Sequence, residues 1–129
     1  MPDGHSLESD PPLRAALPLQ ESDLSPLASI AQEDLLQEAR DASDFLKALG
    51  HDGRLLMLYY LCERDHSVTE LERLIMSRQA AVSQQLARLR LERLVTTRRE
   101  GNQIIYSLAD ERVRATVALI RRMFQSRAD

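Results

Sequence analysis

The sequence predicts a mainly α-helical domain that carries one small β-hairpin. Apolar residues recur every three or four positions through most of residues 27–94, as they do along one face of a helix. Past Leu94 the period falls to two, and a glycine-containing turn interrupts it, which is typical of a hairpin. A helical period then returns and continues to about residue 127. The predicted order is therefore four helices, two strands and a last helix.

Charge is distributed unevenly along the chain. Residues 1–44 hold ten acidic side chains against two basic ones, a net of −8, whereas residues 45–129 hold ten against fifteen, a net of +5. Residues 1–26 contain all five prolines and show no apolar period, so we expect a disordered acidic arm there. One mildly basic domain, residues 27–127, accounts for the remainder.

The amino-acid composition restricts the cellular compartment and the chemistry that we expect of this protein. Sixteen of the seventeen basic residues are arginine; the guanidinium suits phosphates and guanine edges, although a GC-rich genome produces the same bias. Cys62 is the only cysteine, which excludes an internal disulfide. The chain has neither an apolar run long enough for a membrane helix nor a signal-peptide layout, so we expect a cytoplasmic location.

Residues 27–63 predict two helices separated by a break at Gly50 and Gly53. The first has leucines at three- and four-residue spacing and acidic residues near its start, where the helix dipole favours negative charge. The second, residues 54–63, is apolar on most sides. A helix of that kind is buried, so it should form the centre of the core.

Ser67 and Glu70 have the spacing of a capping box, in which each side chain bonds the backbone N–H of the other residue. This box opens a short third helix, and a fourth helix follows after a tight connection near Ser77. Two helices joined by so short a turn form a helix-turn-helix, in which the second helix reads DNA.

The fourth helix has an apolar face and a contrasting polar one. Val82, Leu86 and Leu89 share the apolar face. The opposite face carries no acid before Glu92, and its members are small or end in hydroxyl, amide or guanidinium groups: Gln79, Ala80, Ser83, Gln84 and Arg88. Such side chains reach base edges and phosphates in a major groove, so these five are the candidate DNA-reading residues. A plain solvent-facing helix is the alternative interpretation.

The hairpin carries basic and amide groups near its tip. Arg98, Arg99, Asn102 and Gln103 cluster there, placed to touch the DNA backbone or the minor groove. Charged hairpin tips also occur for solubility alone. Because a reader helix directly precedes it, we interpret the hairpin as the wing of a winged helix-turn-helix.

The last helix, residues 110–127, has a single apolar stripe that includes Val113, Val117 and Phe124. A chain this short has little core for two peripheral helices to cover. The stripe therefore predicts a dimer seam, formed with the first long helix. Packing of the stripe onto its own domain is the alternative.

Three segments resemble signatures of the ArsR/SmtB family of winged-helix repressors: residues 48–55 (ALGHDGRL, the family's A-L-x-H-x-x-R-L joint), 83–90 (SQQLARLR) and 94–101 (LVTTRREG). The resemblance covers residues 33–124. It implies a homodimer that binds a palindromic operator in double-stranded DNA and represses transcription until an inducing signal lowers its affinity. Where many relatives carry a serine on the leading turn of the reader helix, this chain has Ala80, which can still pack on a thymine methyl group.

The sensing sites of the family are missing or altered. Metal-sensing relatives use a Cys-x-Cys pair, where this chain offers Ser67 and Thr69, or Asp and His pairs on the last helix, which has no His here. We therefore expect no metal and no cofactor. Redox- and sulfur-sensing relatives use two cysteines, whose matching positions are Tyr59 and Gln125. Cys62, nearly one turn past Tyr59, is either a redox residue or an inert small hydrophobe.

Two other classes of protein are alternatives to a DNA-binding repressor. A winged helix can instead dock proteins, with the acidic arm and the apolar stripes recruiting partners. An enzyme is disfavoured because the chain has no Gly-rich phosphate loop, no nucleophile elbow and no carboxylate pair in a plausible cleft. His51 and His66 show no ligand spacing, and we expect structural roles for both.

Overall fold

A computed structural model describes residues 27–75 and 79–125. These ranges begin with a 3₁₀ turn at Leu27–Ser29 and then hold five helices and three strands. In chain order they are α1 (Gln32–Leu49), α2 (Asp52–Glu63), β1 (His66–Ser67), α3 (Val68–Ile75), α4 (Gln79–Leu91), β2 (Val95–Glu100), β3 (Gln103–Leu108) and α5 (Glu111–Phe124). Apart from β1, this is the predicted order, and the predicted winged helix-turn-helix is confirmed.

Three predicted features fall outside the described ranges. They are the acidic arm at residues 1–26, the turn near Ser77, and the end of the last helix beyond residue 125. In the described part, α5 ends at Phe124, where Gln125 adopts an extended backbone. The proposed domain limits of 27 and 127 stay a prediction.

The second helix lies at the centre of the core, as its composition predicted. It contacts α1, α3, α4, α5 and β3. The buried apolar side chains of α2 and of two helices packed on it are Met57, Leu58 and Leu61 of α2, Val82, Leu86 and Leu89 of α4, and Val113 and Val117 of α5. Each burial of this kind contributes roughly 1.5–3 kcal/mol. Packing on α2 therefore determines which face of α4 points away from the domain.

Side-chain caps define where α2 and α3 begin. The Ser67 hydroxyl accepts a hydrogen bond of 3.1 Å from the Glu70 N–H, and the Glu70 carboxylate accepts one of 2.9 Å from the Ser67 N–H. The predicted capping box is confirmed. His51 caps α2, because its Nδ1 accepts from the N–H groups of Gly53 and Arg54 at 3.1 and 3.4 Å. His51 thus has a structural role, as expected.

The wing belongs to a three-stranded antiparallel sheet of order β1-β3-β2. Strands β2 and β3 pair from Val95 and Leu108 to Glu100 and Gln103, and two residues close the hairpin. Gly101, the first of these two, has a φ of +61°. A type II′ turn requires a positive φ at that position, which glycine adopts without steric cost.

Strand β1 was not predicted, because two residues are too few to show a period. His66 and Ser67 pair with Tyr106 and Ile105 of β3 and so connect the wing to the start of the helix-turn-helix. His66 is 2% exposed, and its ring meets the ring of Tyr60 edge-on at 6.1 Å between centroids. The burial and the strand pairing are consistent with the structural role expected for His66.

The passage from α4 to β2 turns at a residue with left-handed backbone. Arg93 has a φ of +63°, and the N–H of Leu94 bonds the carbonyl of Leu89 at 3.0 Å. This is the bond pattern of a Schellman cap, in which glycine usually occupies the left-handed position. The turn directs the chain from the reader helix straight into the wing.

Two peripheral helices leave apolar surface uncovered within one chain. Of the 18 residues of α1 only Ala48 and Leu49 are buried, whereas Leu36 and Leu46 are 52% and 58% exposed. Helix α5 buries the first half of its stripe in the domain's own core, but Phe124 at its end is 75% exposed. The α5 stripe therefore serves its own domain first, and only its end remains available for a partner.

Candidate nucleic-acid interface

The outward face of α4 is the candidate reading surface. Since the opposite face is anchored in the core, side chains on this face project into solvent. Ser83 and Gln84, both predicted readers, are exposed there. The other exposed members of the stripe are Ala87, Arg90 and Leu91. Gln79 begins α4 and Ala80 follows it, but the side chains of these two predicted readers lie outside the described part of the structure.

Arg88, the fifth predicted reader, lies on a flank of α4 and not in the outward stripe. Its side chain is half-buried, and its Nε lies 3.2 Å from a carboxylate oxygen of Glu92. This flank is the one nearest Arg54. Burial lowers the pKa of Arg54, and the positive charge of Arg88, which is close enough to act on it, lowers that pKa further. The structure therefore separates Arg88 from Ser83 and Gln84 and gives it a carboxylate partner.

Arg98 connects the wing to the loop that precedes β1. Its guanidinium lies 2.7 Å from the Asp65 carboxylate, 2.7 Å from the Glu100 carboxylate and 3.0 Å from the Ser107 hydroxyl. The hydrogen bonds that Arg98 donates to Asp65 and Glu100 raise the pKa of Arg98, and the bond to Asp65 lowers the pKa of that carboxyl group. The charge of Arg98 is thus balanced inside the protein.

The other predicted wing residues, Arg99, Asn102 and Gln103, are exposed towards the tip. Successive side chains of a strand point to opposite faces. Arg98 and Arg99 therefore lie on opposite faces of the hairpin. The face of Arg99 also carries Tyr106 and packs towards the helices. No Asp or Glu of the described residues pairs with Arg99.

A cleft separates the reader helix from the wing. It encloses about 430 Å³ and is lined by Val68, Ser83, Leu86, Ala87, Arg90, Leu91 and Tyr106. We call it the wing cleft. Arg90 is exposed on the α4 wall and is absent from the predicted set of site residues. Its place seven residues after Ser83, two helical turns along the same side, is the signal that could have found it.

Arg54 fixes α4 against the C-terminal end of α1. Its side chain is 9% exposed, and it donates to the carbonyl oxygens of Ala48 at 2.6 Å and Lys47 at 2.8 Å. A third bond, of 2.9 Å, runs to the side-chain oxygen of Gln85 on α4. Carbonyls at a helix C-terminus carry partial negative charge, so they stabilise a buried cation. Arg54 thereby helps to set the direction in which α4 presents Ser83 and Gln84.

Cys62, the candidate redox residue, is half-buried on α2. Burial raises the pKa of its thiol, which lowers the thiolate fraction at neutral pH. Arg114 of α5 donates a hydrogen bond to the backbone carbonyl of Cys62 and so ties α2 to α5 at this point. Within residues 27–75 and 79–125, no three His, Cys, Asp or Glu side chains come together as a metal site.

A helix-turn-helix followed directly by a β-wing defines the winged-helix class of DNA-binding proteins. The family described as "Bacterial regulatory protein, arsR family" matches residues 51–97, from the His51 cap through the reader helix into β2.

Individual relatives match most of the chain. The transcriptional activator HlyU of Vibrio cholerae is 34% identical over 92 residues, which are 71% of this chain and 85% of HlyU. The biofilm growth-associated repressor of Xylella fastidiosa is 36% identical over 95 residues, 74% of this chain and 83% of that repressor. The crystal structure of the repressor BigR from X. fastidiosa superimposes with a TM-score of 0.69 at 35% identity, covering 76% of this chain and 100% of that chain.

The chain therefore belongs to the ArsR family, and it is a DNA-binding transcriptional regulator. The competing interpretation as a protein-docking module is not favoured by these relatives. No helix in the described ranges has both the length and the apolar character needed to cross a bilayer.

Proposed function

We propose that this regulator is a homodimeric repressor that binds a palindromic operator and is released by an inducing signal. In the dimer, two α4 helices enter successive major grooves, roughly 34 Å apart on one side of the duplex. The observation that carries the proposal is the outward face of α4, where Ser83 and Gln84 stand exposed on a helix anchored by its opposite face.

The reading residues divide by chemistry. Gln84 is assigned to base edges, because a carboxamide can bond an adenine at two atoms, and Ser83 is assigned to a base or an adjacent phosphate. Gln79 and Ala80 lie earlier on the same helix and approach the groove floor, Ala80 by contact with a thymine methyl group. Arg88 reaches the duplex only after leaving Glu92, so we assign it to a neighbouring phosphate.

The wing residues hold the flanks of the site. Arg99, Asn102 and Gln103 are exposed towards its tip and contact the backbone or the minor groove. Arg98 contributes by holding the wing in place through Asp65 and Glu100. Readers on α4 and backbone contacts on the wing together give the protein both sequence preference and affinity.

The uncovered apolar surface of α1 and of the end of α5 supports the dimer. Among the described residues, all but one of the large apolar residues that are more than two-fifths exposed lie on these two helices and the turn before α1: Leu27, Ile30, Leu36, Leu46, Met123 and Phe124. The exception is Leu91 on α4. A second copy of the chain covers such a surface by pairing like with like about a two-fold axis. Sedimentation of the native protein and of Leu46→Glu tests the seam, with Leu74→Glu on α3 as the control.

Selection of duplexes from a random pool tests the function directly. We expect a palindromic consensus, bound by the native protein far more tightly than random DNA. Gln84→Ala should reduce that ratio while leaving the affinity for random DNA unchanged. Equal losses on both DNAs would remove Gln84 from the reading set, and a pool without any enriched sequence would contradict the proposal as a whole.

This role consists of binding and release and contains no chemical step. We therefore propose that the protein is not an enzyme, that it requires no cofactor for DNA binding, and that it works in the cytoplasm, where bacterial DNA lies. Relatives that are themselves named as regulators support the first point.

A further inference from the structure

We propose that the wing cleft is a phosphate site, in which one sugar-phosphate strand of duplex DNA passes between Arg90 on α4 and Arg99 on β2. The inference rests on the proposed function, because a strand enters the cleft only when α4 and the wing engage the same duplex. It adds a binding residue, Arg90, and assigns the backbone contact of the wing to one of its two faces.

The wing cleft has one arginine on its α4 wall and a second beside it on the wing, and neither has a carboxylate partner among the described residues. Arg90 lines the cleft from α4. Arg99 lies on the Tyr106 face of the hairpin, two residues further towards the tip than Thr97, which pairs with Tyr106. Among the described residues, no carboxylate forms an ion pair with Arg90 or Arg99. A phosphate can therefore bind either group without first displacing a salt bridge.

The remaining lining suits a sugar-phosphate chain. Ser83 and Tyr106 bring hydroxyl groups, which donate to phosphate oxygens. Val68, Leu86 and Leu91 give the cleft apolar surface against which a deoxyribose can pack. The described lining residues include no Asp or Glu, so nothing on these walls repels an anion.

Arg88 and Arg98 show the contrast that gives the proposal its specificity. Each lies within two residues of an unpaired arginine in sequence, yet Arg88 is bonded to Glu92 and Arg98 to Asp65 and Glu100. Arg88 and Arg98 must therefore leave a carboxylate before they can bind a phosphate, whereas Arg90 and Arg99 have no such pair among the described residues.

The salt dependence of the DNA affinity reports how many phosphates the protein contacts, and it can be measured without knowing the operator sequence. We would measure the affinity of the native protein and of Arg90→Gln, Arg99→Gln and Arg40→Gln for one duplex at salt concentrations from about 50 to about 300 mM, where counterion release has a large effect. Each lost phosphate contact reduces the steepness of log K against log salt by about 0.9. Arg40→Gln is the matched control, since it removes the same charge from an exposed position on α1, outside the proposed DNA-binding surface.

Both protomers of the proposed dimer carry the substitution, so each variant removes two phosphate contacts. Arg90→Gln and Arg99→Gln are therefore each expected to reduce the slope by about 1.8, and the pair together by about 3.6. Arg40→Gln is expected to leave the slope unchanged, and Arg90→Lys, which keeps the charge, should preserve it. Circular dichroism verifies that each variant is folded.

Unchanged slopes for Arg90→Gln and Arg99→Gln, beside a steep slope for the native protein, would overturn the phosphate site and leave DNA binding intact. A slope that Arg40→Gln reduces as much as the cleft variants do would also overturn it, because the loss would then follow from net charge and not from the wing cleft. A native protein without salt-dependent affinity for any duplex would overturn both the phosphate site and the proposed function.

Discussion

The guanidinium of Arg54 and the side-chain amide of Gln85, 31 residues apart in sequence, are joined by a hydrogen bond of 2.9 Å. The same guanidinium bonds the last carbonyl groups of α1 through Lys47 and Ala48. One buried side chain therefore connects the proposed dimer helix to the flank of the reader helix. Arg54 belongs to α2 but bonds both α1 and α4. We therefore expect a displacement at the end of α1 to move the guanidinium that holds Gln85 of α4.

Replacing Gln85 tests that connection without disturbing the carbonyl bonds of Arg54. Gln85→Met keeps the length of the side chain and removes the acceptor, so we expect a loss of about 1 kcal/mol in the free energy of unfolding. We also expect a lower ratio of affinities for selected and random DNA, since α4 is less firmly oriented. Urea denaturation and mobility shifts measure the two effects.

Gln37→Met is the control, because Gln37 bonds Asp41 at the exposed surface of α1 and its replacement should change stability little. Arg54→Met removes the donor for three acceptors at once and should cost about 3 kcal/mol. If Gln85→Met behaves like Gln37→Met in both assays, the hydrogen bond has no part in orienting the reader.

The features that the sequence predicted correctly are those whose partners lie close together in the chain. The capping box joins Ser67 and Glu70 at a separation of three, and the exposure of Ser83 and Gln84 follows from helical spacing within α4. Strand β1 escaped prediction because its two residues pair only with a distant strand.

The pairing of the arginines could not be predicted from the sequence. Arg98 and Arg99 are adjacent and chemically identical, but Arg98 pairs with Asp65, 33 residues away. Pairing across such a distance depends on how α2, β1 and the wing pack, and no local pattern encodes it. Which of these arginines pair with a carboxylate could therefore be learned only from the coordinates.

Arg93 should gain stability when it is replaced by glycine. Its φ of +63° lies in the left-handed region, which costs a residue with a Cβ roughly 1–2 kcal/mol. Glycine avoids that cost but loses more entropy on folding, so we expect Arg93→Gly to be about 0.5 kcal/mol more stable. The same replacement at Arg90, inside α4, should destabilise by about 1 kcal/mol. Urea denaturation of both variants checks the prediction, and a loss of stability in Arg93→Gly would contradict it.

Asp110 should stabilise the fold at neutral pH and cease to do so in acid. Its carboxylate accepts from the side chain of Arg112 at 3.0 Å and from the N–H of Arg112 at 2.9 Å, as the cap of α5. These hydrogen bonds, the side-chain bond first, hold the pKa of Asp110 below its ordinary value of 3.8. A carboxyl group with a lowered pKa stabilises the folded state fully above its ordinary, unfolded pKa, and that contribution disappears as the pH falls through the folded pKa.

Asp110→Asn keeps a good helix cap but removes the charge. We expect it to be less stable than the native protein at pH 7, with a difference that declines towards zero as the pH falls below 3.8. Asp110→Ala also removes the cap and should cost about 1 kcal/mol more at pH 7. Thermal unfolding across pH 2–7, roughly the interval over which carboxyl groups titrate, measures the difference. A constant difference over that range would show that the charge of Asp110 has no effect on stability.

Cys62 should react slowly and should not be needed for DNA binding. Burial raises the pKa of its thiol above the ordinary value of 9.0, so less than about 1% is thiolate at pH 7. We expect a disulfide reagent such as DTNB to modify Cys62 more slowly than it modifies glutathione at the same pH, and at the ordinary rate once urea unfolds the chain. Cys62→Ser should bind selected DNA as the native protein does, and hydrogen peroxide should leave both affinities unchanged. If peroxide releases the native protein but not Cys62→Ser from DNA, Cys62 is a redox sensor despite its burial.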